Sequence, residues 1–435
     1  MDLPMQVRRS AEAARAASRL LAATSGETRN AALEAVARAL QAGALDILAA
    51  NGSDCAEAAA CGEHSKAALN RLVVNEAKLA EMVAGVRAVA ALPDPLGRVR
   101  LHRRLDKGLE LIQVTCPLGV LGVVFESRPD ALTQIGALAL KSGNAVLLKG
   151  GSEARRTNAA LAAAIHRGLE ARTEVPLEAL QLLEGREAVD ALLDLNGLVD
   201  LIIPRGSNAL VRHIQERTRI PVLGHADGIC HIYLDEAADP AMAVALVLDS
   251  KVQYPSACNA VETVLIHAGA APRILPSLVE ALARAGVELR ACERCRALLP
   301  ALPPAVDADW DTEYGDLILA VKIVDDMDQA IAHIHAHGSG HTECIVTGND
   351  EAAERFLREV DAAGVYHNAS TRFADGYRYG FGAEVGISTG KLHARGPVGL
   401  EGLVTTKYLL RGHGQKVADY SGPAARPFKH EDLPG

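Results

Sequence analysis

At roughly 150 residues per domain, a chain of 435 residues has room for about three domains and a sizeable core. Its 45 basic and 54 acidic residues leave a net charge of −9, and aromatic residues make up only 3%; both argue against nucleic acid as its main partner. No uncharged apolar stretch approaches the roughly 18 residues of a membrane helix, and eight scattered cysteines read as reduced thiols, so a cytoplasmic protein is expected.

Residues 1–92 read as helix, with Leu33, Val36, Ala37, Leu40 and Ala44 at the 3-4 spacing of one buried face. Gly26, Asn51-Gly52 and Pro93-Asp94-Pro95 punctuate that run. The period then changes to two. Residues 99–105 and 109–114 alternate around Asp106-Lys107-Gly108, a β-hairpin whose arginine-rich first strand is suited to project and pair with something else. From 118 onward short apolar runs alternate with helical stretches. Strands are expected over 120–125, 145–149, 180–183, 198–203, 229–234, 260–267, 317–324 and 343–347, which means an α/β fold with mostly parallel sheets. The last 20 residues, rich in Gly, Pro and His, read as a weakly ordered tail.

Two strand ends are candidates for phosphate or ribose binding. The strand ending in Lys149 runs through Gly150 and Gly151 into Ser152 and a helix, with Arg155 and Arg156 following. The strand before Pro204-Arg205-Gly206-Ser207-Asn208 breaks at Gly206, and Ser207 sits where a helix N-cap belongs. The glycines at 380, 382 and 386 have one residue too many for a dinucleotide fingerprint and read as a loop. Cys292-Glu293-Arg294-Cys295 has no second pair at finger spacing, and His333, His335 and His337, two apart, do not share one helix face, so no metal site is expected and a solvated helix end is the plainer reading. Cys258 stands apart from the other cysteines. It lies in a loop containing Pro255 and Ser256, just before an apolar strand, where backbone N–H groups could hold an oxyanion.

The surroundings of Cys258, together with 117–130, 204–208, 364–373, 396–403 and the histidine-rich 324–345, resemble the γ-glutamyl phosphate reductases, a family within the aldehyde dehydrogenase superfamily. The resemblance spans about residues 8–412. It implies two Rossmann-like parallel-sheet domains plus a β-hairpin oligomerisation element. The cofactor domain would take 1–98 and 118–232 and the catalytic domain 233–400; 99–117 and 401–415 would form the oligomerisation element, and 416–435 the tail. The implied reaction is NADPH-dependent reduction of L-glutamyl 5-phosphate to L-glutamate 5-semialdehyde with release of phosphate, a step of proline biosynthesis. Cys258 matches the nucleophile that would form a thioester. Lys149 matches a lysine on the adenosine ribose, with Ser152 in the same turn; Gly206 and Ser207 match the turn flanking the nicotinamide, and Glu313 a glutamate on its ribose. Arg128, Asn368 and Arg372 are expected at the anionic groups of the substrate.

Two departures from the superfamily bear on the mechanism. Relatives that oxidise aldehydes carry a glutamate that activates water against the thioester, and the matching stretch here, 223–228, has none. The oxyanion asparagine of those relatives is replaced by Phe125-Glu126-Ser127-Arg128. The rival readings are an aldehyde-oxidising NAD(P)-dependent dehydrogenase of the same fold and a non-catalytic nucleotide- or metal-binding protein. A homo-oligomer and a glutamate 5-kinase that supplies the labile acyl phosphate are the expected partners.

Overall fold

The alanine- and leucine-rich start of the chain forms the helices Leu3–Leu21, Gly26–Ala42, Ala44–Cys61, Lys66–Leu72 and Glu76–Ala91. The side chains of Asp2, Ser25 and Asn75 cap three of them by accepting from the N–H groups of Met5, Thr28 and Lys78. Asn51-Gly52 is not a break but lies inside Ala44–Cys61. Asn51 is buried there: its amide donates to the Leu72 carbonyl (2.9 Å) and the Thr157 hydroxyl (3.2 Å) and accepts from Val74 N–H (2.7 Å). A turn-forming residue has been used as an internal clamp. This computed structural model describes residues 2–62, 66–172, 174–185 and 187–434, and no side chains over 66–68.

The chain divides into two compact units, one of Met1–Leu223, Phe381–Gly386 and Val398–Gly435, the other of Gly224–Gly380 and Ile387–Pro397. In the first, the hairpin β1 (Val99–Asp106) and β2 (Leu109–Pro117) leads into a parallel sheet of β3 (Val120–Phe125), β4 (Ala145–Gly150), β5 (Leu180–Leu182) and β6 (Leu201–Arg205), in the order β5-β4-β3-β6. Every residue of β3 and β4 is buried, because a parallel sheet is covered on both faces. The helix Arg155–Glu170 packs close to Gly26–Ala42; a methyl group on Gly168 would sit 2.6 Å from the Val36 Cα.

The second unit is built on six parallel strands: β7 (Cys230–Leu234), β8 (Val261–His267), β9 (Glu288–Ala291), β10 (Ile318–Val324), β11 (Thr342–Val346) and β12 (Gly364–His367), in the order β12-β11-β7-β8-β10-β9. Alternate residues serve opposite faces. Ile232, Leu234, Val264 and Ile266 join one buried cluster with Val247, Leu275 and Leu278, whereas Tyr233, Leu265 and Ile345 join another with Ile331 and Phe356. Short strands β13 (Gly386–Ser388) and β14 (Gly396–Val398) follow where the chain passes between units. The division falls at Leu223, ahead of the boundary expected after 232, and the hairpin belongs to the first unit.

β15 (Val404–Arg411) pairs antiparallel with β2 from Val404 opposite Pro117 to Arg411 opposite Glu110. Residues 416–434 do not form the weakly ordered tail expected from composition. β16 (Glu431–Asp432) pairs with β1, giving a sheet ordered β15-β2-β1-β16. The arginines of β1 explain why: Arg103 meets Asp432 at 2.6 Å and Arg104 meets Glu431 at 3.1 Å. Tyr420 and Phe428 stack at 4.5 Å, and the Tyr420 hydroxyl donates to Asp106.

Candidate active site

In the first unit β4 delivers Lys149 to a cleft of about 670 Å³ that Gly150, Gly151, Ser152, Arg155 and Asn158 also line. The chain must come close here: a methyl group on Gly150 would lie 2.2 Å from the Asn158 amide nitrogen, and one on Gly206 would lie 2.5 Å from a Glu126 carboxylate oxygen. Burial lowers the pKa of Lys149, with Glu153 working the other way, and its ammonium donates to the Gly150 carbonyl. Ser207 caps the helix Asn208–Arg217, and its own N–H donates to Glu126 at 2.9 Å. Of the two arginines expected near a phosphate, Arg155 lines the cleft, whereas Arg156 turns to Asp54 (3.2 Å) and Glu57. Glu126, Asn158 and His213 also line it and were not foreseen. The buried carbonyl oxygen of the Asn158 side chain has no hydrogen-bond partner, so the cleft offers an acceptor as well as a cation.

In the second unit Cys258 is half-buried in the turn that joins the helix Pro240–Val252 to β8. That turn is tied down on several sides. The Thr371 hydroxyl donates to the Asn259 carbonyl (2.7 Å), the Asn259 amide to the Ala374 carbonyl (2.8 Å), and the Cys230 thiol to the Cys258 carbonyl (3.3 Å). A Cβ on Gly228 would come 2.2 Å from the Cys258 carbonyl oxygen. His225 and His341 stand beside the cysteine: its sulfur and one ring nitrogen from each lie within 4.8 Å of one another. Neither was foreseen, because both reach the sulfur from remote segments that no helical or strand spacing links to 258.

Arg372 is buried in the same region, where its guanidinium donates to Gln253 (2.8 Å) and lies over the Tyr254 ring at 5.8 Å. Burial lowers its pKa, as does Arg378, while the charge of a Cys258 thiolate would raise it. Arg128, in the first unit, is half-buried immediately before the helix Pro129–Lys141. The Asn368 amide is already engaged at both atoms, accepting from Thr347 N–H (3.0 Å) and donating to the Thr347 carbonyl (2.9 Å), so it fastens its own left-handed turn. Ser127, also left-handed, donates through its hydroxyl to Glu153 at 3.0 Å. Glu313 is half-buried, and its charge helps raise the pKa of Glu262.

The histidine run is a solvated helix end only in part, since His335 is exposed but His333 is not. His333 is buried, its ring 4.4 Å from His337 and 5.5 Å from both His231 and Trp310, and burial pushes its pKa down to about 2. His333 and His337 are four apart and therefore do share a helix face. In the C-x-x-C the two sulfurs lie 3.6 Å apart, and the hydrogen bond between them pulls the Cys292 thiol down to about 5 despite its desolvation.

Residues 3–292 match the model of the aldehyde dehydrogenase family. The chain is 62% identical to the γ-glutamyl phosphate reductase of Synechococcus sp. strain JA-3-3Ab over 96% of its own length and 93% of that protein's. It is 57% identical to the enzyme of the same name from Cyanothece sp. strain PCC 7425, over 99% of both chains. The crystal structure of γ-glutamyl phosphate reductase from Thermotoga maritima superimposes with a TM-score of 0.92 at 39% identity, over 95% of this chain and 100% of that one. A parallel-sheet cleft, a cysteine on a braced turn and likeness along the whole chain lead to one assignment: the chain belongs to the aldehyde dehydrogenase family.

Proposed function

We infer that the chain is a γ-glutamyl phosphate reductase, reducing L-glutamyl 5-phosphate to L-glutamate 5-semialdehyde with release of phosphate in proline biosynthesis. The observation that carries this is identity above 50% to relatives of that name along nearly the whole chain. The family uses NAD(P), and we propose NADPH for this member. The cleft fits the adenosine half of such a cofactor: Lys149 supplies a donor, Asn158 a buried oxygen without a partner, Gly150 room for close approach and Arg155 a cation for a 2′-phosphate. When bound, the nicotinamide supplies hydride. Gly206, Ser207 and Glu313 are proposed to hold its ribose and nicotinamide half, with Ser152 on the adenosine side.

Cys258 is proposed as the nucleophile that expels phosphate and holds the acyl group as a thioester. Its turn is half-buried, and among the described residues the two groups gathered at the sulfur are imidazoles rather than carboxylates, which suits a thioester that must not hydrolyse. Arg372, braced by Gln253, is the best-supported partner for an anionic group of the substrate, and Arg128 is a second. Asn368 is proposed to shape the loop carrying Arg372 rather than to touch substrate. A homo-oligomer formed through the hairpin sheet, delivery by a glutamate 5-kinase and a cytoplasmic setting complete the proposal.

The test runs the reaction in reverse. NADP⁺ reduction with glutamate semialdehyde should require inorganic phosphate, and Cys258→Ala should abolish it while cofactor binding survives. Equal turnover without phosphate would identify an aldehyde-oxidising dehydrogenase instead; near-normal turnover by Cys258→Ala would remove the cysteine from the mechanism.

A further inference from the structure

An unassisted cysteine thiol is mostly protonated at neutral pH, and the thiolate is the nucleophile. The structure surrounds Cys258 with two imidazoles whose hydrogen bonding is unequal. His225 gives its Nδ1 to the Ile387 carbonyl at 2.9 Å; a carbonyl only accepts, so Nδ1 carries the proton and Nε2 the lone pair. His341 is 1% exposed and its Nδ1 lies 2.8 Å from the Thr342 hydroxyl, but its Nε2 is buried without any hydrogen-bond partner. A buried imidazole nitrogen with a vacant bonding direction costs stability unless something else requires it. The two rings meet edge to face with centroids 4.8 Å apart, which fixes the plane of each.

Three other titratable groups near the cluster have bonds of their own. Cys230, from β7, donates its thiol to the Cys258 carbonyl. Arg372 is a cation held by Gln253 and can stabilise a thiolate but not accept a proton. Glu343, on the strand after His341, directs one carboxylate oxygen at His231 through both the backbone N–H (2.7 Å) and Nδ1 (3.0 Å).

We propose that His341 is a catalytic acid–base residue for Cys258, taking the thiol proton on its Nε2 and returning it to the departing phosphate, with His225 positioning its ring. The inference rests on Cys258 being the nucleophile. The proton passes from sulfur to His341 Nε2, giving thiolate and imidazolium. The sulfur then forms a bond to the acyl carbon, and the carbon–oxygen bond to phosphate breaks with its electron pair going to the phosphate oxygen. That oxygen takes the proton from the imidazolium, so phosphate leaves as the hydrogen phosphate dianion, the thioester remains and His341 is neutral again. No oxidant or reductant is needed in this half of the reaction.

The experiment measures alkylation of Cys258 by iodoacetamide in the free enzyme, with the modified peptide identified by mass. In the native protein the rate should change less than about threefold between pH 7 and 9.5, whereas an unassisted thiol gains roughly thirtyfold over that range. In His341→Gln the rate at pH 7 should fall at least tenfold and converge on the native rate at pH 9.5, where hydroxide replaces the base. Folding of the variant is checked by its thermal unfolding midpoint, and the native pH profile stands as a test even if the variant is unstable. A native rate that climbs thirtyfold, a variant as fast as native at pH 7, or a variant deficit that persists at pH 9.5 would each overturn the proposal. Loss of turnover in Cys258→Ala together with native-like alkylation in His341→Gln would sink this inference alone; turnover surviving in Cys258→Ala would sink the nucleophile itself.

Discussion

Gly228 decides where the Cys258 carbonyl lies, since any side chain there would occupy the same space 2.2 Å away. Gly228→Ala should therefore displace the Cys258 turn: turnover is expected to fall at least tenfold with the fold retained, measured as kcat beside the circular dichroism spectrum. His333 acts on stability rather than chemistry. Its folded-state pKa is about 2, whereas an exposed histidine titrates near 6.5. Below about pH 6.5 the unfolded chain binds a proton that the folded chain refuses, so stability falls progressively with pH across that window. Denaturation midpoints at pH 7.5 and 5 should differ less in His333→Gln than in the native chain. The placing of Cys258 in a turn ahead of β8 was legible in the sequence because its signal is local, a Pro- and Ser-containing loop against an apolar strand. Its histidines were not, because the segments carrying His225 and His341 converge only when the sheet forms. Resemblance singled out Arg372, whose role at the substrate remains a proposal, and the same reasoning placed Asn368 beside it without seeing that Thr347 engages its amide.

The element that bears Cys258 is stapled at its base. Lys251, near the end of the helix before the turn, meets Glu262, at the start of β8 after it, at 2.6 Å with both side chains buried. Burial alone would push Glu262 up and Lys251 down, and their mutual attraction works against both shifts. Removing one partner strands the other's charge: Glu262→Leu should cost about 3–5 kcal/mol of unfolding free energy, and Lys251→Met with Glu262→Leu should recover most of it, as read from chemical denaturation. Sequence periodicity located the long buried strands β3, β4, β7, β8 and β10 because a strand covered on both faces is a continuous apolar run. It missed β9 and β12, whose four residues each mix polar with apolar side chains, and it read Asn51-Gly52 as a break because the clamp it forms with Leu72, Val74 and Thr157 is tertiary.

At the scale of the whole molecule the net charge of −9 conceals a local arrangement of opposite sign, since β1 carries arginines that are matched one by one. Composition suggested disorder for the final residues, yet pairing with β1 is decided by charge register and by stacked rings, which composition does not contain. On β15, Tyr408 is 62% exposed and Leu410 60% exposed, an apolar edge suited to association. Tyr408→Glu with Leu410→Glu should reduce the native mass to that of one chain by light scattering at micromolar concentration. If the native protein is itself a monomer there, the hairpin has no assembly role.

The position of β16 limits how such an assembly can grow. It pairs with β1 only at Arg103 and Arg104, opposite the side that β2 takes, so one edge of the four-stranded sheet is two residues long and the other is the eight-residue β15. A long edge presents many unpaired N–H and C=O groups to another chain, whereas a two-residue edge presents few, so copies meeting through the long one about a twofold axis close as a pair. In the proposed homo-oligomer the two-residue β16 thus works against open-ended growth along β1, and the longer β15 is left as the edge through which two copies would meet.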